Sequence, residues 1–379
     1  MRILIINSFC GILSTGKICA KIAEEEIRRG NEVRIAYGRG VCPERYKAIA
    51  VKIGNTMELA MHILLTRIFD WHGIGLSSYF ATRKFLNWVE VWRPDIVWIH
   101  NLHGYYINWP LLFRWLKAHP EIRIKWTFHD CWPFTGHCTY FTATNCGKWR
   151  GCCEKCPLLR EYPGTFFYDR VSKTHVLKKR MFIGFRDLTI ITPSAWLGQI
   201  VKDSFLGGYS IEVQNNTIDR SVFKPTAGDV RRRLGLEGRE IVLGVASTWD
   251  RRKGLDDFIA LRSLLPSEIA IVLVGLSERQ IKSIPDGILG LRRTHSAVEL
   301  AELYSTADWF FNPTHEENYP TVNLEAVACG CRVVTYDTGG CRETVDGVSS
   351  AIVLEGPYKT PQAFAKIVLT LRNTKGVQG

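Results

Sequence analysis

Short apolar runs alternate with amphipathic stretches along almost the whole chain, and no other feature constrains the fold as much. Arg2–Ile6 is a continuous apolar strand. Lys17–Arg29 reads as a helix: Ile18, Ile22 and Ile27 are apolar, Glu24–Glu26 and Arg28–Arg29 are polar, and Gly30 stops it. Glu32–Tyr37, Asp95–His100, Arg123–His129 and Leu188–Thr192 are further strands, with Trp109–Ala118 a helix between two of them. The scheme then repeats. Ile241–Ala246, Ile269–Val274, Trp309–Asn312 and Arg332–Thr335 are strands, and Leu255–Leu265, Val298–Thr306 and Thr321–Cys329 are helices. Continuous apolar strands that alternate with helices belong to parallel sheets covered on both faces. Two such blocks flank a polar stretch at about 220–239 that is rich in Arg, Lys, Pro and Gly. The expected class is α/β: two doubly wound, Rossmann-like parallel-sheet domains facing a cleft that holds the ligand. The N-terminal domain is expected at 1–217 with a Cys-rich insertion at 131–160. The second domain is expected at 218–360, followed by a closing helix and tail at 361–379.

Charge and cysteine content narrow the partners. The formal charge of +12 admits nucleic acid, anionic lipid and phosphorylated small molecules. Twelve cysteines in 379 residues are too few for a disulfide scaffold, but Cys131, Cys138, Cys146, Cys152, Cys153 and Cys156 fall in one short stretch. The opening run Met1–Asn7 is too short for a signal h-region, and no run of about 20 apolar residues occurs that would span a bilayer. The expected compartment is cytoplasmic, with thiols reduced unless metal-bound.

Several motifs fall at strand-to-helix junctions. Gly11–Lys17 approaches a P-loop, but Ile18 replaces the hydroxyl residue that would hold Mg²⁺. Nucleotide hydrolysis is therefore disfavoured, and the backbone around Gly16 is left to meet an anion or an acceptor. Glu317 and Glu325 are carboxylates eight apart, on a loop after a strand and in a helix start. Carboxylates suit sugar hydroxyls as bidentate acceptors; the bland reading is one solvated loop residue and one favoured by the helix dipole. Asp250-Arg251-Arg252-Lys253-Gly254 follows another strand and opens another helix. Three cations there oppose the dipole and call for an anion. Thr338-Gly339-Gly340 follows a third strand, where paired glycines admit a ligand to the backbone. Cations for a diphosphate, bare backbone for close contact and carboxylates for hydroxyls together suit a nucleotide sugar.

On these residues the chain resembles retaining glycosyltransferases of family 4, which have the GT-B fold. Glu317 to Glu325 matches the family's E-x₇-E motif, and Glu325–Val334 continues as the family does. Lys253-Gly254 matches its diphosphate-binding pair, and Asn216-Thr217-Ile218-Asp219 with Phe223 is similar to its linker signature. Asn101–Asn108 and Phe128–Cys138 resemble the colanic-acid and exopolysaccharide subgroup. Ser247 and Thr248 stand where the family usually has Gly-Arg, so Arg251 or Arg252 is expected to supply the missing cation. Pro320 stands where a glycine is frequent in the carboxylate loop.

The resemblance implies transfer of a sugar from a UDP-, GDP- or ADP-sugar to a glycan or lipid-linked glycan in surface polysaccharide biosynthesis, with retention of configuration. Lys253, Arg251 or Arg252, and N–H groups around Gly339 and Gly340 are expected to meet the leaving diphosphate. By resemblance, Glu317 binds donor-sugar hydroxyls, Glu325 the ribose, and His129 faces the donor sugar. No Asp-x-Asp motif sits in a suitable loop, so no catalytic metal is expected. Front-face attack, with the leaving phosphate accepting the acceptor's proton, is what the family implies.

Cys138, Cys146, Cys153 and Cys156 suggest a tetrahedral thiolate site for structural zinc, with free, partly buried thiols as the alternative. A nucleic-acid-binding role is disfavoured because the basic residues are scattered and no recognition helix follows the cysteines. An inactive sugar-nucleotide binder or a phosphorylase shares the fold. Met57–Phe69 reads first as a helix packed on the sheet. Arg, Lys and Trp within 83–126 offer an alternative, peripheral contact with an anionic inner leaflet.

Overall fold

The computed structural model describes residues 1–376, with side chains described for 1–372. The chain divides into two compact units, Met1–Gln214 and Asn215–Gly379. The N-terminal unit is built on seven strands: β1 (Arg2–Asn7), β2 (Glu32–Tyr37), β3 (Ala50–Lys52), β4 (Ile96–Ile99), β5 (Arg123–Thr127), β6 (Leu188–Thr192) and β7 (Ser210–Val213). Their order is β3-β2-β1-β4-β5-β6-β7, and the pairings are parallel. Around them run α1 (Leu13–Arg28), α2 (Thr56–Phe69), α3 (Tyr79–Trp92), α4 (Trp109–Ala118), α5 (Val171–Phe182) and α6 (Ala195–Lys202).

The C-terminal unit has six parallel strands: β8 (Glu240–Val245), β9 (Ile269–Val274), β10 (Ile288–Leu291), β11 (Trp309–Asn312), β12 (Arg332–Tyr336) and β13 (Ala351–Leu354). The order β10-β9-β8-β11-β12-β13 is the doubly wound order 3-2-1-4-5-6 within the unit. Its helices are α7 (Val230–Arg233), α8 (Leu255–Arg262), α9 (Glu278–Ile281), α10 (Ala297–Thr306), α11 (Thr321–Ala328) and α12 (Pro361–Gly376). The interior strand β9 is buried along its whole length, as a strand covered on both faces must be.

Burial explains why these segments form the core. Trp109 and Trp126 pack edge to face on Phe182, with Phe113 tilted against Trp126 and Phe182, in the N-terminal unit; in the C-terminal one Trp309 meets Phe364 edge to face and Phe311 stacks on it. Phe364 anchors α12 in that second core. The end of the tail, 377–379, lies outside the described residues.

The polar stretch 220–239 packs within the C-terminal unit: Arg231 bonds the Thr306 carbonyl and Asp308, and Arg233 pairs with Glu302. Of the six tryptophans in 83–126, Trp98, Trp109 and Trp126 are buried on strands and a helix that face the core, whereas Trp88, Trp92 and Trp115 are partly exposed.

Each sheet reverses its strand order once, between β1 and β4 and between β8 and β11. Ligands of open α/β sheets bind beyond the carboxyl ends of the strands at such a reversal.

Candidate active site

In the C-terminal unit the loops after β8 and β11 flank the reversal, and they carry Lys253 and Glu317. Residues 251–253 form one 3₁₀ turn. Asp250 caps it, accepting from the Lys253 N–H at 2.9 Å. Gly254 follows at φ 76°, and α8 begins at Leu255. A Cβ at Gly254 would lie 2.4 Å from the Pro313 carbonyl oxygen, so this position needs both the left-handed backbone and the missing side chain.

The turn presents Lys253 to Glu317. The ammonium donates to Glu317 Oε2, and the two side chains are only 20% and 13% exposed. Glu317 Oε1 accepts from the Asn318 N–H at 3.0 Å. Burial pushes the Glu317 carboxyl up, but Lys253 and Arg252 outweigh it and hold the group below the usual carboxylate range. Arg252 reaches the same loop, donating to the Glu316 carbonyl at 3.1 Å, while its own carbonyl accepts from His315 N–H at 2.8 Å. The loop after β8 and the loop after β11 are thus clasped by backbone and side chain together.

The cations have internal partners: Asp250 lies 3.9 Å from Arg252, and Asp256 and Asp257 occupy the first turn of α8. The cations stand in the turn before the helix, and its own aspartates meet its amino end. Arg251 is exposed on this turn.

The loop after β12 completes this edge. The Gly340 N–H donates to the Asn318 carbonyl at 2.8 Å, so it ties the glycine loop to the carboxylate loop. Gly339 adopts φ 58° beside it. Thr338 Oγ1, in the same turn, is buried without a hydrogen-bond partner. Buried hydroxyls are normally satisfied, so Thr338 joins the candidates that sequence reasoning passed over; its place directly before the paired glycines was the available signal. Glu325 lies in α11, where Tyr304 donates to its Oε2 at 3.1 Å from α10. A buried amide ladder, Asn312 to Asn323 to Thr344, fixes α11 against β11.

A cavity of about 460 Å³ in this unit lies at the start of β8 and β12, ringed by Arg231, Arg239, Arg332 and Arg372. It includes none of the candidate site residues.

In the N-terminal unit His129 lies just beyond β5. His100 Nδ1 and His129 Nε2 are 2.9 Å apart, and the rings stack. Burial pushes His129 down to about 4 and His100 well below the ordinary histidine value, so both are neutral and one donates to the other. His100 Nε2 is buried without a partner. The next residue, Asp130, accepts from the Trp132 N–H at 3.0 Å and meets His103 Nε2 at 2.7 Å. Burial raises the Asp130 carboxyl, yet His103 and that N–H keep it low. Neither His100 nor His103 was singled out from the sequence, although both stand just past a buried strand. Gly16 lies in the first turn of α1, where a Cβ would meet Phe9 at 3.1 Å, and its carbonyl accepts from the Gly11 N–H.

Cys138, Cys146, Cys153 and Cys156 line one cavity of about 10 Å³ with Phe141 and Trp149. Among the described residues, no group of three or more His, Cys, Asp or Glu side chains could hold a metal ion. The tetrahedral zinc site is therefore not supported. Cys138 is hydrogen-bonded to Cys156, and Cys153 accepts from the Gly136 N–H at 3.3 Å. The thiols pack as part of the aromatic core under Phe134 and Trp149.

Residues 239–374 match the family model described as Glycosyl transferases group 1. A putative colanic acid biosynthesis glycosyl transferase of Escherichia coli is 31% identical over 235 residues, covering 58% of this chain and 55% of that protein. The chain spans about half the length, or less, of the curated relatives it matches. Sucrose-phosphate synthase of Thermosynechococcus elongatus superposes with a TM-score of 0.70 at 14% identity, over 98% of this chain and 90% of that one. HepE of Anabaena, solved in complex with UDP-glucose, superposes with a TM-score of 0.62 at 17% identity, over 99% and 91%. Among the described residues no helix is long and apolar enough to cross a membrane.

Proposed function

We propose that this chain, a member of the group 1 glycosyltransferases with the GT-B fold, is a retaining enzyme. It moves a sugar from a nucleoside-diphosphate sugar to a glycan or lipid-linked glycan acceptor in surface polysaccharide biosynthesis, at the cytoplasmic side of the membrane. The observation that carries the reading is the Lys253–Glu317 pair on two loops at the strand-order reversal. A cation and a carboxylate held within one contact suit a substrate with a diphosphate beside a sugar.

When the donor binds, Lys253 and Arg252 meet the diphosphate and stabilise the charge that builds as it leaves. Lys253 exchanges part of its bond to Glu317 for phosphate oxygen, which frees Glu317 to accept from sugar hydroxyls. Gly339 gives the donor close access to backbone, and Glu325, oriented by Tyr304, accepts from the ribose hydroxyls. His129, held neutral, offers a hydrogen bond to the donor sugar. The acceptor's proton passes to the leaving phosphate. UDP is the first candidate base, because HepE was solved with UDP-glucose. A surface polysaccharide is the first candidate product, because of the colanic acid relative.

The test is a thermal-shift panel of UDP, GDP and ADP, followed by transfer from labelled sugars of the winning base with and without EDTA. One diphosphate is expected to stabilise the fold, and transfer is expected to survive chelation. Stabilisation by none of the three, with no transfer, would refute the reading.

A further inference from the structure

We propose that the cavity at the amino ends of β8, β11 and β12 is a second anion site, which takes a small phosphate monoester such as a phosphorylated sugar. Arg231, Arg239, Arg332 and Arg372 line it together with Glu240 and Asp308. None of these six residues has a role in the donor reading. The three strands are neighbours in the sheet, and the loops at their other ends carry Lys253, Glu317 and Gly340. At about 3.3 Å per residue, strands of four to six residues put roughly 13–20 Å between the two ends. A ligand in the cavity therefore leaves the donor loops free.

The charges around the cavity do not cancel. Asp308 Oδ2 lies 3.2 Å from Arg231 Nη2 and accepts from the Ile241 N–H at 2.9 Å. Glu240 Oε1 lies 3.8 Å from Arg332 Nη2 and accepts from Trp309 Nε1 at 2.8 Å. Each carboxylate is thus met by one guanidinium and one neutral donor. Among the described residues, Arg239 and Arg372 meet no carboxylate: Arg239 donates to the Ser267 carbonyl at 2.6 Å, and Arg372 is exposed on α12. Four guanidiniums against two carboxylates leave the cavity with two positive charges. Arg262 of α8 adds to the surplus, since burial and then the charge of Arg239 push it below the ordinary arginine value. A phosphate monoester brings a matching charge of about −1.5 to −2 near neutral pH.

The guanidiniums are also held in place. Arg332 lies over the Trp309 ring, 3.8 Å from its centroid, and its Nε donates to the Asp308 carbonyl at 3.1 Å. Arg231 donates to the Arg239 carbonyl, and to the Thr306 carbonyl at 2.8 Å. Among the described residues, Arg239 commits Nη2 alone and Arg332 commits Nε and Nη2. A guanidinium has five N–H donors, so the remainder can fork onto phosphate oxygens in the geometry that arginine and phosphate share. Fixing these side chains beforehand lowers the entropy cost of binding. The volume of about 460 Å³ is that of a small-molecule site and exceeds what a bare phosphate fills. Leu371 offers the rest of the ester an apolar wall.

The test is calorimetry of the full chain with ribose 5-phosphate, inorganic phosphate and ribose. Ribose 5-phosphate is expected to bind with a Kd below about 1 mM, the value of roughly two charged hydrogen bonds. Inorganic phosphate is expected to bind at least about tenfold more weakly, because it leaves most of the cavity unfilled. Ribose is expected not to bind. Arg239→Gln with Arg372→Gln should weaken ribose 5-phosphate about tenfold or more, with a parental melting temperature. Arg372→Gln alone, exposed on α12, should weaken it about threefold and leaves the core untouched. The titration needs no nucleotide, so it fails or succeeds separately from the donor reading. Repeated with UDP in excess, it is expected to give the same affinity. Competition by UDP would place the ester in the donor loops and overturn the proposal. So would a Kd above about 1 mM, equal affinity for inorganic phosphate, or parental affinity in both variants.

Discussion

Lys253 and Glu317 stand 64 residues apart and meet as an ion pair at the strand-order reversal of the C-terminal sheet. Each is the other's main charge partner while no donor is bound. Glu317 is poised to change partner when a diphosphate arrives.

Lys253→Ala should therefore do two things. Turnover should fall about 100-fold or more, since a preorganised cation on a leaving group is worth that much. Stability should fall by about 3 kcal/mol, because a mostly buried carboxylate loses its cation. Lys253→Ala combined with Glu317→Gln should recover part of the stability and none of the activity. Urea unfolding and initial-rate kinetics on the single and double variants measure both; a double variant no more stable than Lys253→Ala would contradict the pairing as a source of stability.

The two carboxylates of the motif should separate by ligand. Glu325→Ala is expected to weaken nucleoside diphosphate binding about tenfold, the value of roughly one charged hydrogen bond, while Glu317→Ala leaves it near parental. Tyr304→Phe removes the hydroxyl that orients Glu325 and should produce a smaller loss of the same kind. Calorimetry with the diphosphate alone reads all three.

Acid should destabilise the N-terminal unit before the ordinary carboxylate range is reached. Burial pushes His62 down to about 3 and His129 to about 4. The unfolded chain takes up protons near pH 6.5 that these folded rings refuse. Their contribution is therefore complete above about 6.5 and is lost as pH falls toward those folded values, by about 1.4 kcal/mol per pH unit for each ring. Glu317 has the same sign in a lower window. Its depressed carboxyl stabilises the fold above about pH 4.3, and that contribution is lost as pH falls through its folded value. Denaturant midpoints from pH 7 to pH 4 should fall, and His129→Gln should flatten the slope; a flat parental profile would exclude this account.

Thiol reactivity should follow the hydrogen bonds of the cysteine cluster. The Cys138 thiol donates to Cys156 and holds it below the ordinary thiol range, whereas burial pushes Cys153 up to about 11. Iodoacetamide at neutral pH should label Cys156 well ahead of Cys153, with exposed Cys152 as the internal reference. Peptide mapping by mass spectrometry tests the order, and equal labelling of Cys153 and Cys156 would rule it out.

The strands legible in the sequence were those buried on both faces, such as Ile3–Ile6 in β1 and Ile269–Val274 in β9. Four strands escaped, namely β3, β7, β10 and β13, and they are the four edges of the two sheets. Edge strands pair on one side and stay partly exposed, as Ser210–Val213 does, so they need no continuous apolar run. The C-terminal site was legible for a related reason. Its residues follow core strands directly, so Lys253, Glu317 and Gly340 could be placed at one sheet edge from pattern alone. That Gly340 donates to Asn318, that Thr338 is left unsatisfied and that His100 backs His129 could not.

The sequence by itself determined the two parallel-sheet units, the loops that carry the candidate site and the family resemblance. Each depends on local periodicity or on spacing within one segment. Only the tertiary structure decided that Lys253 pairs with Glu317, that the clustered thiols lie beside Phe141 and Trp149 and that α2 buries His62 and Thr66 most deeply. Those outcomes depend on which groups from distant segments meet. Apolar periodicity does not say which side of a helix the fold will bury, and cysteine spacing does not say whether thiols converge on an ion or pack against aromatic rings.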